Sequence, residues 1–366
     1  MSTLKGEPVD RPAVSFYEIN GLDESPDHSD PFNVFSHPSW KPLVTLARDK
    51  TDRIVMRQVN KKSALSGVMS LKEYYENGSL FTINTIRVGS QILTSRSRRD
   101  PDVFTIWQTE HLLKNVDDLR AFLELPSFDM LRELDFDRIH ETEKSLGDTG
   151  IVMLDLGDPL CNAASLFDMG TFTMIAMTEP ALFHKLLEKF AEPIYKYVRL
   201  VSQHFPGRLW RIYGPEYASV PYLPPKYFDE YVVKYDSPIV NMIHKSGGFA
   251  RVHSHGNLRD ILDKIVSTGC MAIDPIEPPP HGDVTLEYVR KKYGSQLVLF
   301  GNLEITDIEN LPNAQFEEKV KRSIEEGMSG NGRGFVLMQS ASPYGRIVSE
   351  NTIKNYESII KIIECL

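Results

Sequence analysis

Cysteine is scarce in this chain: Cys161, Cys270 and Cys365 stand alone, with no CxxC spacing. That excludes a disulfide framework and a cysteine-rich zinc site, and it fits reduced thiols in a cytoplasm. Apolar runs are short, and nowhere do about eighteen apolar residues follow one another as a membrane-crossing helix needs. Met1 to Asp10 is polar and lacks the apolar core of a secretory leader, so a soluble, cytoplasmic protein is expected. An excess of positive charge is missing too. The formal charge is −9, and the one dense basic cluster, Arg96-Ser97-Arg98-Arg99, reads as a solvated loop. Nucleic-acid binding therefore has little electrostatic support. No GxGxxG follows a strand-like run, which speaks against a dinucleotide fold.

What is present is ordinary for a globular protein: 366 residues, 41% hydrophobic and 25% charged. From about Gly147 onward, short apolar runs alternate with helix-length amphipathic segments, the pattern of repeated βα units. Strand signals cover Ile151 to Asp155, Arg208 to Tyr213, Gly248 to His253, Cys270 to Ile276, Gln296 to Phe300 and Gly334 to Met338. Helical spacing covers Glu179 to His204, Lys226 to Gly247, Leu258 to Gly269, Thr285 to Tyr293, Gln315 to Gly327 and Thr352 to Ile363. Such units close most naturally into a (β/α)8 TIM barrel, with an open doubly wound sheet as the alternative. Before them, Ala13 to Ile19 is strand-like and Thr51 to Thr109 looks extended, an inserted hairpin layer. The expectation is one barrel domain over 1–366 with an irregular N-terminal elaboration at about 23–145.

His253-Ser254-His255-Gly256 directly follows one of these strands. A rigid element thus fixes two imidazoles at spacing two, while Gly256 lets the chain turn away. Such a pair can bind a metal or hold an anion, but a half-buried strand also presents residues at this spacing without any function. If a barrel forms, the residues after each strand converge on one mouth. They are Glu18 and Asn20; Asp155 and Asp158; Tyr213, Glu216 and Tyr217; His253 and His255; Asp274 and Glu277; Asn302 and Glu304; Gln339 and Ser340. Glu277 stands before Pro278-Pro279-Pro280, which stiffen its loop. His253, His255 and Glu277 make a three-ligand set of the zinc type, with an open position for substrate or water.

At these residues the chain resembles the uroporphyrinogen decarboxylase superfamily, a (β/α)8 barrel shared with corrinoid-dependent methyltransferases and cobalamin-independent methionine synthase. Val9-Asp10-Arg11-Pro12-Ala13-Val14 looks like the family's opening strand and Val252-His253-Ser254-His255-Gly256-Asn257 like its strand-end histidine motif; Gly301-Asn302 and Ser349-Glu350-Asn351-Thr352-Ile353 also fit. The departures bear on function. Where true uroporphyrinogen decarboxylases carry an arginine-rich segment that grips the substrate's carboxylates, this chain has Glu18-Ile19-Asn20-Gly21-Leu22. A polycarboxylate would meet repulsion there in place of guanidinium pairing. The family's central aspartate is missing from Ile212 to Tyr217, where Glu216 is the nearest substitute.

The methyltransferase branch implies zinc held by a His-x-Cys motif and a later cysteine, sometimes with a glutamate; the metal favours a substrate thiolate. Here His255 takes the first cysteine position, Glu277 resembles the glutamate, and Gly334 to Ser342 has no cysteine. Imidazole in place of thiolate makes such a site harder. The resemblance thus implies a methyltransferase-like enzyme, with Glu216, His253, His255 and Asn302 as catalytic residues. Glu18, Asn20, Asp155, Tyr213, Tyr217 and Gln339 would line the substrate. The same resemblance implies zinc at His253, His255 and Glu277, a corrinoid carried by a partner protein, and a homodimer. The alternatives are a decarboxylase of uroporphyrinogen or of a smaller carboxylated substrate, and a non-catalytic ligand-binding member.

Overall fold

The computed structural model describes residues 1–22, 30–59, 65, 67–127, 129–131, 134–330 and 334–366. Twelve strands occur among them: β1 (Ala13–Val14), β2 (Arg53–Arg57), β3 (Met69–Glu76), β4 (Ser79–Val88), β5 (Gln91–Arg99), β6 (Ile106–Glu110), β7 (Gly150–Gly157), β8 (Leu209–Tyr213), β9 (Phe249–Ser254), β10 (Ala272–Pro275), β11 (Val298–Leu303) and β12 (Phe335–Gln339). Eight of them form one sheet in the order β1-β12-β11-β10-β9-β8-β7-β2, and every pairing in it is parallel. Its two ends meet where Asp52 N–H donates to Val14 O (2.7 Å) and Asp52 Oδ2 accepts from Val14 N–H (2.9 Å). The sheet is thereby the wall of a TIM barrel, as the βα rhythm predicts.

The outer layer of helices follows from apolar spacing and local caps. Pro180–His204 starts on proline, whose missing N–H costs nothing in a first turn, and buries Phe183, Leu186, Leu187, Ile194, Val198 and Val201 along one stripe. Glu350–Glu364 starts where the Ser349 hydroxyl accepts from Thr352 N–H at 3.1 Å. Among the described residues, no helix is long and apolar enough to cross a membrane.

In the N-terminal part the strand from Ala13 and the loop at Arg96 to Arg99 need correction, while the inserted hairpin layer is present. The strand expected over Ala13 to Ile19 stops at Val14, because the N–H groups of Ile19 and Asn20 both turn back to Phe16 O (2.8 Å each). The extended stretch from Thr51 divides: β2 enters the barrel wall, while β3-β4-β5-β6 make a separate antiparallel sheet inserted between β2 and β7. Arg96 to Arg99 is part of β5 and not a loop, since β4 pairs it on one side and β6 on the other. The elaboration expected from about residue 23 begins in a segment, 23–29, that lies outside the described residues.

Candidate active site

Alternation along the strands decides what fills the barrel. Ile54, Met153, Leu209, Ala272, Val298 and Val336 form an apolar floor with Leu4 packed beneath it. One residue pair higher on the strands the interior becomes charged. Arg211 pairs with Asp155 at 2.9 Å, and Gln58 Nε2 donates to the other oxygen of Asp155 at 3.0 Å. Arg251 pairs with Asp274 at 2.9 Å, and both side chains are fully buried. Tyr17 stands between the two cations, its ring 4.9 Å from the Arg251 guanidinium and 5.8 Å from that of Arg211. The Arg251–Asp274 pair is shut off from water and the Arg211–Asp155 pair nearly so, and the low local dielectric binds each charge to its counter-ion.

Above this layer stand the two histidines, each gripped by its own carboxylate. His253 Nδ1 donates to Asp274 Oδ2 at 2.6 Å, inside the barrel. Burial pushes the His253 imidazole down to about 4, more than the Asp274 charge restores. Burial also works to raise Asp274, but the Arg251 guanidinium and His253 hold it down at about 2. His253 is thus neutral at pH 7, with Nε2 left as an acceptor. His255 Nδ1 meets Glu277 Oε1 at 2.8 Å, and Gly256 N–H donates to Glu277 Oε2 at 2.6 Å. Both carboxylate oxygens are engaged, so the glutamate cannot swing away. Burial works against a charged His255 ring, yet the hydrogen bond and charge of Glu277 raise its pKa above the ordinary imidazole value. Burial likewise favours neutral Glu277, and the His255 bond overcomes it and lowers that pKa. The His255 side chain is 41% exposed, whereas His253 is enclosed. The rings touch edge to face at 4.6 Å.

Acids flank the pair on the β7 and β8 side. Glu216 has a buried Oε2 with no partner, and burial raises its pKa. Behind it Asp158 and Asp236 are buried together, and burial raises both carboxyls above the ordinary carboxylate range. Gly214 lets the chain pass them: its φ is +119°, and a Cβ would come 2.2 Å from Cys161 Cβ and 2.7 Å from Asp158 Oδ1. Tyr213 leans over Gly157 with Arg211 5.0 Å from its ring, and Tyr217 packs on Tyr222 and Phe172.

Of the residues expected at the mouth, Glu216, Tyr213, Asp155, His253, His255 and Glu277 gather on β7 to β10 and the loops after them. Glu18 is a clasp: Oε1 accepts from Tyr17 Oη–H (3.1 Å) and Oε2 from Ser342 N–H (2.5 Å), joining the loops after β1 and β12. Asn20 is spent on Ser15 and Thr51. Gln339 does not line the mouth. Val336 and Met338 point into the barrel, so Gln339 points out of it, wholly buried, with neither amide atom bonded. Asn302 also leaves the mouth. Alternation from Val298 and Phe300 puts it inward, but Gly301, at φ +143° and pressed against Pro275 O, breaks the alternation, and Asn302 Oδ1 accepts from Ser323 on the helix Asn313–Met328. The zinc set changes character as well. Among the described residues, no three His, Cys, Asp or Glu side chains group to hold a metal ion. Glu277 is committed to orienting His255, so the three do not fit the expected ligand set.

Arg211 and Arg251 were missed by strand-end reasoning because they lie mid-strand. The signal was a lone charge inside an apolar run, as in Phe249-Ala250-Arg251-Val252, facing another in Ala272-Ile273-Asp274-Pro275. A charge so placed needs a buried partner.

The family model for uroporphyrinogen decarboxylase (URO-D) matches residues 109–358. No curated protein matches the sequence. Among solved structures, a methyltransferase from Methanosarcina mazei superposes with a TM-score of 0.61 at 14% identity, covering 99% of this chain and 96% of that one. At such identity the likeness bears on the fold and not on the chemistry. D-psicose 3-epimerase from Clostridium cellulolyticum H10, at 11% identity over 63% of this chain and 83% of that one, reaches a TM-score of only 0.36 and carries no argument.

Proposed function

Because the chain belongs to the uroporphyrinogen decarboxylase family, we propose that it is a methyltransferase-like member in which His255, held by Glu277, is the general base that readies a small nucleophile. The observation that carries this reading is the doubly anchored Glu277 beneath a partly exposed imidazole at the barrel mouth. With Nδ1–H donated to Glu277, Nε2 would take the proton from a thiol or hydroxyl as that atom attacks a methyl carbon, the bond from that carbon to its donor breaking with its electron pair leaving on the donor, and Glu277 would stabilise the imidazolium formed. Neutral His253 offers a second acceptor beside it. A corrinoid on a separate carrier protein supplies an electrophilic methyl group, as the resemblance implies. No residue of this chain needs to hold it, and no step requires zinc.

The lining also restricts the substrate. Both interior guanidinium groups are already neutralised by Asp155 and Asp274, and Glu18 stands where a polycarboxylate would need a cation. A small nucleophile with few negative charges suits this mouth better than a polycarboxylate. One feature favours decarboxylation as a second reading: Glu216, whose Oε2 has no partner and whose pKa burial raises, is placed to give a proton to a carbanion left by loss of carbon dioxide.

The test is to incubate the full chain with methylcobalamin and a panel of thiols and hydroxylated acceptors, following the corrinoid spectrum. Carbon dioxide release from carboxylated compounds is measured beside it. Methyl transfer that His255→Ala removes supports the proposal. Carbon dioxide release without methyl transfer replaces it by the second reading, and methyl transfer indifferent to His255 refutes its role as the base.

A further inference from the structure

A cavity of about 330 Å³ lies between the loops after β10 and β11 and the helix Asn313–Met328, its Pro278 and Pro279 directly following Glu277 in the chain. Pro278, Pro279, Leu303 and Phe316 give it apolar walls. Its two cations are already taken: Lys319 pairs with Asp307 at 2.8 Å, and Arg322 with Glu326 at 2.7 Å. The Asn302 amide oxygen accepts from the Ser323 hydroxyl at 3.0 Å. That leaves Glu304, which is only 6% exposed and whose Oε1 has no donor at all. An unpaired acceptor so deeply buried is costly, and it persists where something else completes it.

We propose that this cavity is a second binding site, made for a small primary ammonium compound with a short alkyl body. The charge balance selects the sign: Glu304, Asp307 and Glu326 outnumber Lys319 and Arg322, and both of these cations are engaged. The walls select the body, since prolines, a leucine and a phenylalanine offer contact area and no further hydrogen bonds. The size is at the small end of ligand pockets, about 300–1,000 Å³. An ammonium N–H donating to Glu304 Oε1 gives the orphan acceptor a charge-assisted partner. The site does not depend on the methyl-transfer reading.

The experiment uses n-hexylammonium as the probe and hexanoate and hexanamide as controls, with binding to the full chain read by calorimetry and by the thermal midpoint. Hexylammonium is expected to bind and raise the midpoint while both controls do not, and Glu304→Gln is expected to weaken binding by about tenfold or more. His255→Ala is expected to leave it unchanged. The midpoint of unliganded Glu304→Gln shows that the variant is folded; should it be unfolded, Phe316→Trp, which fills the cavity, replaces it with the same expected loss. Absence of hexylammonium binding overturns the proposal, as does equal binding by the cavity variants, preference for hexanamide, or loss of binding in His255→Ala.

Discussion

Replacing Glu277 by glutamine tests the dyad at its least tolerant point. The carboxylate accepts two hydrogen bonds, from His255 Nδ1–H at 2.8 Å and from Gly256 N–H at 2.6 Å. An amide has one oxygen to accept with, so its NH2 must face one of those donors. If it faces His255, Nδ1 becomes the acceptor and Nε2 carries the proton, the wrong tautomer for a base. If it faces Gly256, a backbone N–H loses its partner. In either case the charge that stabilises the imidazolium is gone. A hydrogen bond to a charged group contributes about 1.5–3 kcal/mol, and at about 1.4 kcal/mol per factor of ten this is about 10- to 150-fold in kcat/KM. With His255 41% exposed, screening places the expected loss in the lower half of that range. The pH profile gives the more specific readout. In the native chain kcat/KM rises with pH as His255, raised by Glu277, loses its proton. Glu277→Gln removes the raising charge, so this limb moves to lower pH while the plateau falls. A plateau that falls with the limb unmoved, or moved upward, refutes the assignment of His255 as the base.

Arg251→Met leaves Asp274 buried with His253 as its remaining partner, and a loss of about 3–5 kcal/mol is expected in urea unfolding; a cost below about 1 kcal/mol would show the pair to be dispensable. Acid titration of stability should fall in two stages. The contribution of neutral His253 is full above its ordinary pKa of about 6.5 and is lost as pH falls toward about 4, some ~3 kcal/mol at ~1.4 kcal/mol per unit. That of Asp274 is full above about 3.8 and lost toward about 2; a flat profile between pH 7 and 4 contradicts the first stage. Gln339→Leu should keep activity and hold or raise stability, because neither atom of the buried amide is bonded, and a collapse of activity would return Gln339 to the mouth. Protein purified without chelator should contain no stoichiometric zinc and be indifferent to its addition, whereas zinc whose removal stops turnover would reinstate a metal centre.

The barrel was legible because βα rhythm is a property of neighbouring residues, and β7 to β12 fall within a few residues of their apolar runs. The mouth was legible on the side where alternation holds, at Asp155, Tyr213, His253 and the Glu277 loop. It failed where one residue changes the count: Gly301 turns Asn302 toward Ser323, and a strand one residue longer than its apolar run sends Gln339 outward. Glu277 was recognised as part of the site, but spacing alone does not distinguish a carboxylate that meets a metal from one that meets an imidazole. Arg251 and Arg211 escaped because their partners lie on neighbouring strands, far away along the chain.

β2 and β7 pair directly, Arg53 against Gly150 through Arg57 against Leu154, although everything from residue 58 to 149 intervenes in the chain. The chain therefore leaves the wall at the upper end of β2 and re-enters it at the lower end of the neighbouring β7. In evolutionary terms this is an exchangeable part: the antiparallel sheet and its helices can lengthen, shrink or be replaced without altering a single ladder of the wall. Descendants of one barrel can thus acquire different rims, and with them different clientele, while the histidines at the end of β9, two strands from β7, keep their places.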